Sequence, residues 1–188
     1  GAEAASFYGR NDAFEESDYY LRQIRGLDSN SIVNACKMVT FDVWYRNPMD
    51  APIAKPASEI NPDPATIQNI RIMVERSVAF WNEYGPIVKD GFTFEPTGYT
   101  ETVDEGDGDF LTADTLWEFK VVKSKPTSKH TLQLLMYWIM GQHSGKAEFK
   151  GIRKLGIFNP RLNTIHTLRI ECVPKDIIKI VESDVICY

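Results

Sequence analysis

Apolar side chains recur at helical spacing through the first part of the chain and alternate with polar ones from Phe92 onward. The sequence therefore changes from helical to strand character partway along. SDYYLRQIRG carries Tyr20, Leu21 and Ile24 on one side of a predicted helix that stops at Gly26. Asp28, Ser29, Asn30 and Ser31 supply N-caps for SIVNACKMVTFDVWYR, where Ile32, Cys36, Val39 and Val43 form a stripe and Asn47-Pro48 ends the run. MDAPIAKPASEINPDP holds Pro52, Pro56, Pro62 and Pro64, so it reads as a connector. A long helix follows: Asp63 caps it, Pro64 takes the first position, and Gly85-Pro86 stops it. Ile67, Ile70, Val74 and Trp81 mark its expected buried stripe.

FTFEPTGYTETV, DGDFLTA and TLWEFKVV then read as three successive strands separated by turn residues. Thr127 or Ser128 caps a helix, SKHTLQLLMYWIMGQHS, ending near Gly141 or Gly145. KLGIFNP and TIHTLRIE form a strand pair across Arg161-Leu162-Asn163, and Pro174 begins a last helix, KDIIKIVE. This order predicts an α/β (mixed α+β) fold with a central mixed sheet flanked by helices over residues 61–188. Residues 1–60 form an N-terminal helical extension and Pro-rich connector, a candidate surface for self-association or for joining a larger complex. Residues 1 to about 6 are set aside, because the chain opens on Gly1 rather than Met and lacks the charged and apolar regions of a secretory signal.

Hydrophobic content of 43% and charged content of 25% suit a folded domain. The longest apolar run, LQLLMYWIMG, is about half of a bilayer span, so no membrane partner is expected. Cys36, Cys172 and Cys187 are scattered and odd in number, which fits a reducing, intracellular (cytoplasmic) setting and gives no zinc or iron–sulfur spacing. The net charge of -5 is unevenly spread. Residues 1–119 carry 9 basic and 21 acidic side chains, whereas residues 120–154 carry eight basic ones against Glu148 alone. Acids that hold a cation, followed by bases that hold phosphates, would produce this pattern. A solvated helix face and a charged loop would produce it too.

The chemistry concentrates in GDGDFLTADTLWEFKVVK. Side chains two apart on a strand share a face. Trp117, Phe119 and Val121 are therefore expected to be buried together, while Glu118 and Lys120 share the other face with Leu116. An acid and an ammonium inside an apolar strand cost desolvation unless they pair or meet a bound cation. With Ala113-Asp114-Thr115 as the hairpin turn, Asp109 comes to lie nearly opposite Glu118. Two facing carboxylates repel, and a divalent cation removes that penalty. All-oxygen ligation selects Mg2+ or Mn2+ over zinc. Lys120 is then placed to orient a water or to stabilise charge on a phosphoryl group.

These residues resemble the PD-(D/E)XK nuclease superfamily, within it the RecB-type branch. The resemblance rests on Gly106-Asp107-Gly108-Asp109, on Glu118-Phe119-Lys120, and on Gln133 with Tyr137 one turn apart on the next helix. It covers roughly residues 65–170 in helix–three strands–helix–strand order. It implies a restriction-endonuclease-like core and metal-dependent hydrolysis of phosphodiester bonds in nucleic acid, with DNA the expected partner. Asp109 and Glu118 would hold the metal, and Lys120, Gln133 and Tyr137 would complete the catalytic set. The branch often carries a further acid or His on the first core helix; here only Glu75 stands in its body, with exposed surface as its ordinary reading. Glu118 replaces the branch's usual Asp, and no cysteine cluster is present.

Other readings compete at several positions. Asp107, Asp109 and Glu118 match positions of a calcium loop, but Leu111 and Thr112 stand where a ligand and a glycine are needed. Asp107 is an alternative to Asp109, although the pleat favours Asp109. Lys129 and His130, at the start of the helix, are candidates to hold a phosphate. Lys123, Lys125 and Lys129 are candidates to contact nucleic acid, and Arg161 a weaker one. A non-catalytic nucleic-acid-binding or assembly module would keep such a fold while losing one of the three central residues; all three are present.

Overall fold

The computed structural model describes residues 1–188, which divide into two compact units, Gly1–Ile72 and Met73–Tyr188. The division lies inside a helix, whereas the sequence places it in the connector near residue 60.

The first unit is helical: α1 (Ala2–Phe7), α2 (Ala13–Arg22), α3 (Ser29–Val39) and α4 (Val43–Arg46). Asp28 caps α3, its carboxylate accepting from the Ser31 N–H at 3.0 Å. Ala5, Ala13, Tyr20, Phe41 and Ala57 form the unit's small core. Three expectations are corrected here. Residues 1–6, set aside from the sequence, form most of α1 and bury Ala5 completely. The stripe of Ile32 and Cys36 does not continue to Val39, which is 69% exposed. A tighter 3-10 turn over Thr40–Asp42 changes the helical phase and brings Phe41 inward instead. The predicted helix end at Gly26 also moves back, to Arg22.

Helix α5 (Pro64–Tyr84) has the predicted limits, and the Asp63 carboxylate accepts from the Thr66 N–H at 2.8 Å. Its buried positions are Ser77 and Phe80 rather than Val74 and Trp81. Phe80 decides the rotation: its ring stacks on Phe158 at 4.4 Å and meets Trp117 edge-on at 4.8 Å.

The second unit is built on five strands: β1 (Lys89–Phe92), β2 (Gly108–Leu111), β3 (Thr115–Phe119), β4 (Lys154–Asn159) and β5 (Thr164–Arg169). They lie in the order β1-β2-β3-β4-β5. Only the β3–β4 pair is parallel; the others are antiparallel, so the sheet is mixed. A parallel pair needs a crossover, and α6 (Ser128–His143) lies within it. The chain closes with α7 (Lys175–Ile180) and a wider π-type turn over Val181–Ile186.

Each face of the sheet is covered by a different helix. Phe110, Trp117 and Phe158 point toward Phe80 of α5. Leu111, Leu116, Leu155 and Ile157 point toward Leu134, Leu135, Ile139 and Met140 of α6. The predicted strand FTFEPTGYTETV is mostly loop: β1 stops at Phe92, and residues 93–107 carry no strand. Pro96 has no N–H to give a ladder, and Gly98 turns the chain by donating to the Phe94 carbonyl at 2.8 Å. Phe92 and Phe94 still bury fully, which accounts for the strand-like alternation in the sequence. No helix is long and apolar enough to cross a membrane.

Candidate active site

The β2–β3 register pairs Phe110 with Trp117 and Leu111 with Leu116, which sets Asp109 across from Glu118. A short turn produces this register, with the Thr112 N–H donating to the Thr115 carbonyl at 3.0 Å. Asp114 is a turn residue: its carboxylate accepts from the Thr115 hydroxyl at 2.7 Å and pairs with Lys154 at 2.9 Å, and both partners lower its pKa. Asp104, Glu105 and Asp107 are exposed in the loop before β2.

Glu118 is only 6% exposed, on the α6 face of β3. Burial raises its pKa above the ordinary value; the Lys120 hydrogen bond opposes that shift, and the charges of Asp109 and Asp107 add to it. Lys120 Nζ donates to Glu118 Oε1 at 2.6 Å and to Gln133 Oε1 at 3.0 Å. Gln133 in turn donates its amide to the Tyr137 hydroxyl at 2.9 Å. Glu118, Lys120, Gln133 and Tyr137 thus form one continuous chain of hydrogen bonds between β3 and α6. Glu118 Oε2, by contrast, is buried with no hydrogen-bond partner. An unpartnered buried carboxylate oxygen is costly, and such an atom marks a place where a cation or donor belongs.

Asp109 is exposed, and its Oδ2 accepts from the Phe119 N–H at 2.6 Å. That bond ties the carboxylate to β3, one residue from Glu118. No three acidic, histidine or cysteine side chains are grouped so as to hold a metal ion. The donor set at this place is therefore two carboxylates, which suits a hard cation that keeps much of its water. No family model matches the chain, and neither does any curated protein or solved structure.

Tyr137 is held from a second side by ring contact with Phe94 at 5.0 Å, and burial raises its pKa first among several causes. Gly106, at φ +143°, passes close to it: a Cβ there would sit 3.4 Å from the Tyr137 ring. The Tyr99 hydroxyl fixes this loop by donating to the Gly106 carbonyl at 2.6 Å. Sequence reasoning missed Tyr99, whose only signal was an aromatic in a stretch assigned to a strand.

The remaining candidates fall outside the chain of hydrogen bonds. Glu75 is exposed on α5, the helix whose Phe80 packs on the opposite face of the sheet. His130 Nδ1 accepts from the Thr127 N–H at 3.2 Å, a helix-capping contact that occupies one ring nitrogen. Lys123, Lys125 and Lys129 are exposed on the segment leading from β3 into α6. Arg161 lies in the β4–β5 turn, where its carbonyl accepts from Arg76 at 3.0 Å. Val121, expected to be buried with Trp117, is exposed because β3 ends at Phe119. Trp138, read as packing, is partly buried against the α6-side core.

Proposed function

We propose that the chain is a metal-dependent nuclease that hydrolyses phosphodiester bonds in nucleic acid, with DNA the expected substrate. It would belong to the PD-(D/E)XK superfamily, and its mixed sheet would be the restriction-endonuclease-like core. The observation that carries this reading is Glu118: one oxygen is paired with Lys120, while the other is buried and unpartnered, on a residue across the strand pair from Asp109.

Asp109 and Glu118 would hold Mg2+ or Mn2+, which supplies Lewis acidity at a phosphate oxygen and lowers the pKa of water. The protein's own groups have separate tasks. Lys120 is fixed by two acceptors, so its ammonium is preorganised to stabilise charge developing on the phosphoryl group. Gln133 holds Lys120 in place and is itself held by Tyr137. Lys123, Lys125 and Lys129 carry positive charge along the approach, where backbone phosphates would lie.

Incubation of the full chain with single- and double-stranded DNA in magnesium, manganese or EDTA tests the proposal, with Lys120→Ala as the comparison. Cleavage that needs a metal and Lys120 is the expected result. Binding that is independent of metal, with no cleavage of any substrate, would overturn it in favour of a non-catalytic binding module.

A further inference from the structure

A groove of about 280 Å³ lies beside this site, on the α6 side of the sheet. It is lined by Thr131 and Leu134 from the first half of α6, by Ile157 of β4, by His166 and Leu168 of β5, and by Lys125 from the incoming loop. Helix α6 is shared with the candidate active site, and β4 lies directly against β3. Ile157 is the register partner of Glu118, Leu134 follows Gln133, and Lys125 lies on the segment that leaves Lys120.

We propose that this groove receives an unstacked nucleobase next to the cleaved phosphate, which makes single-stranded nucleic acid the substrate class. This rests on the nuclease reading above. Leu134, Ile157 and Leu168 provide an apolar floor that suits the face of a base, and Leu168 is 45% exposed. Hydrogen-bonding groups are few. The His166 imidazole and the Thr131 hydroxyl can meet the edge of a ring; Thr131 donates to the Ser128 carbonyl at 3.1 Å and so keeps its acceptor capacity. The Lys125 ammonium completes the match, since a base arrives attached to a phosphate. An apolar peptide side chain would fill the floor but leave that charge unanswered. In a duplex both faces of a base are already stacked, so entry would require flipping, which a single strand avoids.

Leu168 and His166 are both exposed on an edge strand, so Leu168→Ser and His166→Ala are expected to preserve the fold, which circular dichroism of each variant checks. In EDTA, a short single-stranded oligonucleotide containing 2-aminopurine should change fluorescence on binding, and either substitution should weaken binding about tenfold. In magnesium, the wild type should cleave a single strand in preference to the matching blunt duplex, and Leu168→Ser should raise KM for the single strand only. Unchanged binding by both variants, or equal cleavage of duplex and single strand, would overturn the groove proposal while leaving the nuclease reading intact. If no nucleic acid is cleaved, the nuclease reading falls and the placement beside a cleaved phosphate falls with it; the fluorescence titration then decides the groove as a base-binding site alone, which binding that depends on Leu168 supports and absence of binding overturns.

Discussion

Lys120 donates to only one oxygen of Glu118, Oε1, and leaves Oε2 buried without a partner. The two residues are also unequally buried: the Glu118 side chain is 8% exposed and that of Lys120 20%. Water therefore reaches the ammonium more easily than the carboxylate, and removing either partner has different consequences. Glu118→Gln leaves a lysine that solvent can serve, so stability at neutral pH should be unchanged or higher by about 1 kcal/mol. Lys120→Met strands a buried carboxylate and should cost about 3 kcal/mol. Urea titrations of both variants check this asymmetry; equal losses would contradict it.

The same burial gives a pH dependence. The folded Glu118 holds its proton more tightly than the unfolded chain does, since its pKa is raised from 4.5. Its contribution to stability is therefore fully present below the unfolded value and is lost as pH rises through the folded one. Glu118→Gln should flatten the stability curve above pH 4.5. Chemical denaturation across that range measures the difference between the two slopes. A slope identical in both proteins would show that Glu118 does not carry the dependence.

A divalent cation should counteract this effect, because it binds the ionised carboxylates of the folded state. At a hundredfold excess over its Kd the gain is about 2.7 kcal/mol. Thermal unfolding of the wild type should therefore shift upward with magnesium or manganese, and more so at higher pH. Asp109→Asn and Glu118→Gln should each remove the shift. A shift that survives both substitutions would place the cation elsewhere on the chain.

Gln133 and Tyr137 should differ in kinetic weight, because only Gln133 touches the ammonium. Gln133→Leu removes a hydrogen bond to a charged group and should lower kcat about tenfold with little change in KM. Tyr137→Phe removes a neutral bond one step further away and should have a smaller effect. Equal losses in the two variants would mean that Tyr137 acts directly rather than by positioning Gln133.

Much of this arrangement is legible from local patterns. The alternation in Leu116-Trp117-Glu118 separates the two faces of β3, and the spacing of Gln133 and Tyr137 puts both on one side of α6. Caps such as Asp28 and Asp63 are legible because each acts within its own turn. Contacts that depend on distant partners are not. Phe80 rotates α5 away from its most regular stripe because four aromatic rings from the sheet, Phe110, Trp117, Phe119 and Phe158, meet it, and no spacing within the helix reports them. The groove is hidden for the same reason, since Leu134, Ile157 and Leu168 come from three separate elements.

Gly156 gives the sharpest test of the packing beneath the site. It pairs with Trp117 across the parallel strands, and a Cβ there would lie 2.3 Å from the indole ring. The ring has little freedom to withdraw: Trp117 Nε1 donates to the Thr112 hydroxyl at 3.1 Å, and Phe80 stands edge-on above it. Gly156→Ala should therefore cost about 1–3 kcal/mol, against the small gain that glycine-to-alanine replacement gives where space is free. The cause is steric, so Trp117→Phe in the same background should recover part of the loss by shortening the ring. A double-mutant cycle by urea denaturation reads that coupling directly. Additive losses would mean that Gly156 is required for a reason other than the indole.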